Sequence, residues 1–517
     1  MKKYILSLSL ILMATGLTHA QSFNENIAPI IYKHCGGCHR PGEIGPFTLT
    51  NYQEVSNWGG TIKYVTESRY MPPWKPDPSY RNFQHENILT NDEIAQIGKW
   101  VDNGMPEGDP SKFYPFPNYP SGSQIGTPDL VVSFAKKYIH KGNGKDEYRY
   151  FVLPTNLTED KDLVALEMRP GNTKVVHHTL FWADPTGAAR AEDAKSPEYG
   201  YTGGGSSALS GEQLPGYVPG QKPNQFTAGM AQKVPKGSDL VLQMHYAPTS
   251  VDEADSSVVN LFFAKKPATR YVYNKILLPT DLINGPFIIP ANQVKEFHAV
   301  YKIPLKVSLT GIWPHCHMLG QKWEAYAKLP DGTKIPLVKI NEWDFNWQGG
   351  YYFNKLIVLP VNTEIHAFCT YDNTVNNPVN PNNPPKPITW GEGTSDEMFY
   401  LPISYVIALP GDENVLLGSA DPKADNIVYE DATIYPIIPN PVKDEIKIGF
   451  VLSHDAVISM SVYDERGNKI QDLIQSSSYP QGQHVVKSKI SNIPNGVYIV
   501  RLATNNKFVS QRFVVAN

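Results

Sequence analysis

A chain of 517 residues is too long for one ordinary core, so two to four domains are expected. A formal charge of −4, with 19% charged residues and no basic block, excludes nucleic acid as a partner. The 44 prolines, 39 glycines and 29 tyrosines suit a loop-rich, mainly β architecture, and four cysteines are too few for a disulfide scaffold of this size.

The N-terminus reads MKKYILSLSLILMATGLTHA. Two lysines, an apolar run and a small-residue stop at Ala20 read as a signal peptide over residues 1–20. No other run is long and apolar enough to span a membrane, so the mature chain is expected to be exported without a transmembrane segment. Residues 21–115 contain CGGCH, that is Cys35-x-x-Cys38-His39. Two thiols at this spacing suit thioether bonds to both vinyl groups of a haem, with His39 as proximal iron ligand. A zinc knuckle would need a second cysteine pair nearby, but the other two cysteines lie at 316 and 369. A redox disulfide would need a βαβ context, which is missing. Downstream, RYMPPW offers Met71 as the sixth ligand, with Met105 and His85 as alternatives. In LTNDEIAQIGKWVDNG, Thr90 and Glu93 form a capping box. Ile94, Ile97, Trp100 and Val101 make one apolar stripe, and Gly104 can end the helix. The segment resembles a small class I cytochrome c domain, which implies an α-helical fold around one covalent haem c.

Residues 113–128 form a Pro/Gly/Ser-rich linker. From Asp129 onward, short apolar segments alternate with turns at the spacing of a β-sandwich: DLVVSF, YRYFVL, KVVHHTLFW, DLVLQMHYAP. The Gly-rich insertion YTGGGSSALSGEQLPGYVPG is expected as a surface loop. A second β-rich series runs from about Tyr271 to Ala408, and a third begins near Ile434, where DERGN makes a hairpin turn.

Five histidines fall in strand-like segments: His177 and His178 together, His245, then His315 and His317 in PHCHM. Residues i and i+2 of a strand share a face, so His315 and His317 can point at one ion while Cys316 points away. His177 and His178 can share an ion only where the strand is bulged or strongly twisted. Imidazole sets and imidazole-plus-thioether sets suit copper, and zinc can also take three imidazoles.

The paired HH, the strand LVLQMHY, the HxH followed by Leu-Gly, CTYDNT and GEGTSDEM occur in one order over residues 129–410. Together they resemble the copper type II ascorbate-dependent monooxygenases, the family of peptidylglycine α-hydroxylating and dopamine β-monooxygenase. The resemblance implies two tandem copper-binding β-sandwich domains, 129–270 and 271–412, facing each other across a solvent-filled cleft. It gives His177, His178 and His245 to an electron-transfer copper, and His315, His317 and Met398 to the copper that meets O2 and substrate. The implied activity is hydroxylation of a C–H bond of a small-molecule substrate, with electrons from an ascorbate-like reductant or a redox protein. The haem domain adds a single-electron carrier. The chain departs from the peptide-amidating members at two carboxylate-holding positions, which are Trp313 and Pro402 here. Phe399 stands where the family has a cysteine, so Cys369 lacks that partner; a Cys316–Cys369 disulfide and two buried thiols both remain open.

YPIIPNPVKDEIKI, VYDERGNKI, IPNGVYIVRL and KFVSQRFVV resemble the C-terminal sorting domain of the type IX secretion system over residues 434–517. This implies a small immunoglobulin-like β-sandwich read by that machinery, and export via the periplasm to the cell surface or medium. The expectation for the whole is an exported copper and haem monooxygenase. The alternatives are a non-catalytic surface electron-transfer or copper-binding protein, and a carbohydrate or adhesion module.

Overall fold

The computed structural model describes residues 21–120, 122–203, 211–227, 229–268, 270–409, 411–418, 432–434, 437, 440–452, 455–479, 482–490, 492–504 and 508–516. The expected signal peptide therefore lies outside the described residues. The chain divides into two compact units. One holds the chain up to Trp74 and Asn87–Pro117; the other holds Lys75–Glu86 and the chain from Asn118.

The first unit is helical: α1 (Ala28–His34), α2 (Tyr52–Asn57), α3 (Gly59–Glu67) and α4 (Asn91–Asp102). The α4 stripe buries Ile97 and Trp100 against Phe23, Ile27, Ile31 and Tyr32. Both halves of its capping box are made. Thr90 Oγ1 accepts the Glu93 N–H at 3.1 Å, and Glu93 Oε2 accepts the Thr90 N–H at 2.7 Å. Gly59 has no room for a side chain, because a Cβ there would lie 2.2 Å from Met105 Sδ. Met105 is thus packed over α3 as part of this core.

The second unit is mainly β. Its first strands are β1 (Leu130–Ser133), β2 (Tyr138–His140), β3 (Glu147–Pro154), β4 (Lys161–Arg169), β5 (Val176–Asp184), β6 (Glu212–Tyr217), β7 (Met230–Val234), β8 (Asp239–Tyr246), β9 (Glu253–Asp255), β10 (Val258–Phe263) and β11 (Arg270–Tyr271). They form the sheets β1-β10-β4-β7-β11 and β3-β8-β5-β6, with β2 and β9 paired apart. Phe151, Phe181 and Leu242 from one sheet and Leu163, Val259 and Leu261 from the other share one apolar core. Burying such side chains contributes about 1.5–3 kcal/mol each before the chain's ordering entropy is subtracted.

Then follow β12 (Tyr273–Leu277), β13 (Ile288–Ile289), β14 (Val294–Lys302), β15 (Val307–Ile312), β16 (Gly320–Lys328), β17 (Lys334–Ile340), β18 (Tyr351–Leu359), β19 (Glu364–Asp372), β20 (Ile388–Thr389) and β21 (Leu401–Ile407). Their sheets run β12-β21-β15-β18 and β14-β19-β16-β17, with β13 and β20 as a separate pair. Burial along β19 alternates strictly, so Ile365, Ala367, Cys369 and Tyr371 face inward while His366 and Phe368 are partly exposed. Strands between Ala432 and Val515 build a further pair of sheets around Phe450, Met460, Val500 and Phe513.

Two expectations are corrected. The Gly-rich insertion is not all loop, because its end is the strand β6, paired with β5. Pro215 and Gly216 hid this strand, and they are tolerated because β6 is a sheet edge whose pairing with β5 slips between Thr179 and Phe181, opposite them. Residues 204–210 of the insertion lie outside the described residues. The helical region expected to run over 21–115 does not keep all of that span, since Lys75–Glu86 folds with the β unit. There Asp77 donates its N–H to the Lys339 carbonyl at 2.8 Å and Gln84 to the Tyr352 carbonyl at 2.8 Å.

Candidate functional site

His177 and His178 begin β5, and His245 ends β8, its neighbour. The β5–β8 register slips between Val176 and His178, so the ladder carries an irregularity at His177. That slip lets two adjacent residues turn the same way, which a regular strand forbids. The three Nδ1 atoms stand 3.1 Å (His177–His245), 3.2 Å (His177–His178) and 3.2 Å (His178–His245) apart. A neutral imidazole has one donor and one acceptor nitrogen, so three mutually facing Nδ1 atoms are poorly satisfied by hydrogen bonds alone. They fit a cation: in a triangle of this size each nitrogen is about 1.8 Å from the centre, so an ion about 2.0 Å from all three sits about 0.8 Å above their plane. His245 is oriented from behind, with Nε2 2.6 Å from Asp146 Oδ1 and its ring stacked on Tyr148 at 4.3 Å.

His315 and His317 follow β15. The segment 396–400 clamps them from outside. His315 and Tyr400 exchange backbone bonds at 2.9 and 3.2 Å, and His317 Nδ1 lies 3.1 Å from the Asp396 carbonyl oxygen. A carbonyl only accepts, so Nδ1 carries the proton and Nε2 keeps a free lone pair. Met398 sits between those two anchor points and lines the same pocket as His178, His315 and His317. Glu397, fully buried, braces the turn. Its oxygens accept backbone N–H groups of His317 at 2.8 Å, Leu319 at 2.6 Å and Met398 at 3.1 Å. Burial pushes this carboxyl up to about 8, against the pull of those N–H groups.

The two histidine sets adjoin. The His178 and His315 rings are 6.0 Å apart, where the resemblance implied a solvent-filled cleft between them. Phe345 lies against His177 at 5.6 Å, His317 at 5.7 Å and His245 at 6.2 Å, and so packs apolar surface where water was expected. Burial, then the neighbouring imidazoles, hold His178 and His315 well below the ordinary range. Burial likewise lowers His177 and His317 to about 4. All four are therefore neutral at pH 7, with lone pairs available to a metal.

Cys316 and Cys369 are free thiols in this structure, both 0% exposed, and Trp323 Nε1 donates to Cys316 Sγ at 3.2 Å. His298 and His366 pair on the outer face at 2.9 Å, away from the cluster's elements.

In the helical unit, His39 Nδ1 lies 3.0 Å from the Phe47 carbonyl, so Nδ1 holds the proton and Nε2 is left for a ligand. Cys35 and Cys38 are half-buried, and burial pushes their thiols up to about 12 and about 11. The donor set suits a covalent haem. Met71 is half-buried after α3, its N–H donating to the Val65 carbonyl at 3.0 Å. Among the alternatives, Met105 is committed to the helical core and His85 lies in the segment that folds with the β unit.

Sequence reasoning missed Asp146, Phe345 and Glu397. Only Glu397 left a signal, as an acid directly before a candidate ligand.

Comparison with known proteins identifies one part of the chain. Residues 434–516 match the secretion system C-terminal sorting domain. The protein thus carries a type IX secretion tail and is directed to export, at the cell surface or secreted. No curated protein matches the chain. Among solved structures, a β-glucuronidase from Ruminococcus gnavus bound to D-glucaro-d-lactam is 9% identical, over 44% of this chain and 37% of its own, at a TM-score of 0.13. A Faecalibacterium prausnitzii β-glucuronidase is 12% identical over 44% and 38%, also at 0.13. The chain spans under two-fifths of those enzymes, and likeness at that level carries no argument. Among the described residues, no helix is long and apolar enough to cross a membrane.

Proposed function

We propose that the protein is an exported copper-dependent monooxygenase, built from two tandem β-sandwich domains over 129–270 and 271–412 with a small cytochrome c domain before them. The observation that carries this reading is the pairing of unlike donor sets beside one pocket: a triangle of three Nδ1 atoms, and two imidazoles with Met398. Copper, when bound, supplies single-electron steps and the reduction of O2. The overall change is R–H + O2 + 2 e⁻ + 2 H⁺ → R–OH + H2O.

The chain's own residues do the positioning. His177, His178 and His245 hold one ion, with Asp146 fixing the third ring. His315, His317 and Met398 hold the other, the soft thioether favouring the reduced metal. Glu397 keeps the HxH turn and the methionine in one rigid piece. Phe345 keeps bulk water off three of the rings, which protects a reactive site from wasteful side reactions. Cys35, Cys38 and His39 hold the haem, with Met71 as its further ligand. A haem held there would supply single-electron transfer from an ascorbate-like donor or a redox protein.

The test is O2 uptake by copper-loaded protein with reductant and a panel of small organic compounds, with product analysis by mass spectrometry. Uptake that depends on a compound and is lost in Met398→Ala is expected. Compound-dependent uptake that survives Met398→Ala defeats the assignment of the oxygen site.

A further inference from the structure

The pocket beside the histidines encloses about 1120 Å³, its open mouth included. Among the described residues, no lysine or arginine lines it, and its one carboxylate is Glu392, 3.3 Å from Gln243 Nε2 and 3.4 Å from the Tyr150 hydroxyl. Its polar lining is otherwise mostly carboxamide and hydroxyl. Some of those amides are committed to the protein itself. Gln221 exchanges two bonds with the Gly350 backbone at 3.0 and 3.3 Å, and Gln213 Oε1 accepts the Tyr400 hydroxyl at 2.9 Å. Others keep an end unmatched. Gln232 Nε2 donates to the Gln213 carbonyl at 3.0 Å, but its Oε1 and Asn224 Nδ2 are buried atoms without a hydrogen-bond partner, on residues that line the pocket. Gln232 is only 2% exposed. Buried polar groups are normally matched, so two unmatched ends on the pocket's lining residues mark a recognition surface waiting for its complement.

Trp313 supplies the apolar side. Its indole lies directly on Gly350, where a Cβ would fall 1.7 Å from the ring nitrogen, and it meets Tyr352 edge-on at 5.1 Å. The indole thus occupies the space that a side chain at position 350 would need.

We infer that this pocket takes an uncharged substrate bearing hydroxyl or carboxamide groups beside a flat apolar face, and rejects carboxylates. One acceptor end and one donor end complement a hydroxyl or a primary amide, each of which both donates and accepts. A carboxylate would lose its water, find no lysine or arginine, and face Glu392 and the Gln232 carbonyl oxygen. The word substrate rests on the oxygenation reading; the chemical class rests on the pocket alone.

The experiment compares three probes of one size, 2-phenylethanol, phenylacetamide and phenylacetate, binding to the full-length chain by ligand-observed NMR, with and without added copper. The neutral probes are expected to bind at least tenfold more tightly than phenylacetate. Asn224→Ala and Gln232→Leu should each weaken phenylacetamide several-fold; if Gln232→Leu fails to fold, Asn224→Ala gives the answer. Trp313→Arg should reverse the preference. Phenylacetate binding as tightly as the amide, failure of both neutral probes to bind, or an Asn224→Ala variant with unchanged affinity overturns the inference. A neutral preference without any O2 uptake counts against oxygenation and supports the pocket class. Uptake that is fastest with phenylacetate does the opposite.

Discussion

Asp146→Asn isolates what the carboxylate behind His245 contributes to the histidine triangle. The mutation keeps a carbonyl oxygen that can accept the His245 Nε2–H at the present 2.6 Å, but removes the charge. With Nδ1 atoms only 3.1–3.2 Å apart, each must aim its lone pair at a point about 0.8 Å off their common plane, so a small ring rotation costs bond overlap. Tyr148, stacked almost parallel on His245 at 6°, limits rotation in one direction, and Asp146 limits it in the other. Partners of this kind change metal affinity by 10–100-fold, which is ~1.4–2.7 kcal/mol. Competitive titration against a chromophoric chelator at fixed pH measures it, with His245→Ala as the variant that should lose far more. The reasoning fails if Asp146→Asn binds within twofold of the parent while His245→Ala does not bind, because His245 would then be oriented by packing alone.

Glu397→Gln leaves one oxygen for three backbone N–H donors and turns an NH2 toward at least one of them. It should destabilise the protein by about 2–4 kcal/mol in a denaturant melt; a loss below ~0.5 kcal/mol contradicts the bracing role. In metal-free protein, His317 is held at about 4 against an ordinary 6.5. The unfolded chain therefore takes up a proton that the folded one resists. Stability should fall by ~3 kcal/mol for this residue as pH drops from 6.5 towards 4, and bound copper should protect against that loss. Glu397 acts at the other end. Its raised value makes the folded state lose stability as pH climbs from about 4.5 through 8, so a urea midpoint that is flat from pH 4 to 9 would contradict both assignments. Cys316 and Cys369 should resist a thiol-alkylating reagent in native protein and react fully once it is unfolded without reductant. Peptide mapping that finds them linked instead refutes the free-thiol state.

The grouping of the histidines was legible in part, because imidazoles stand out in strand segments. HH, a lone strand histidine and HxH stand out against strands that are otherwise apolar. The requirement that β5 be irregular at His177 also followed from strand periodicity alone, and the slipped register meets it. What the sequence could not supply was register and long-range packing. Asp146 reaches His245 only because β3 and β8 pair Tyr148 with His245. Phe345 sits in NEWDFNWQGG, which reads as a polar turn until its ring is seen against three imidazoles. The strand β6 was masked by its own proline and glycine, and with it went a wall of the pocket. The adjacency of the two histidine sets is a tertiary fact that no local pattern encodes.

The twelve residues Lys75–Glu86 bear on how the protein can be taken apart. They leave the helical part of the chain, fold with the β unit and return. Phe83 is only 3% exposed and stacks on Phe353 at 5.7 Å, while Arg81 reaches the Pro336 carbonyl. No single cut in the backbone therefore separates the two parts cleanly. A fragment starting at Asp129 would lack both backbone bonds to Lys339 and Tyr352 and would bare the Phe353 ring. Any dissection that aims to study the histidine cluster without the cysteine pair must carry this short excursion along, joined across its own ends or supplied as a peptide.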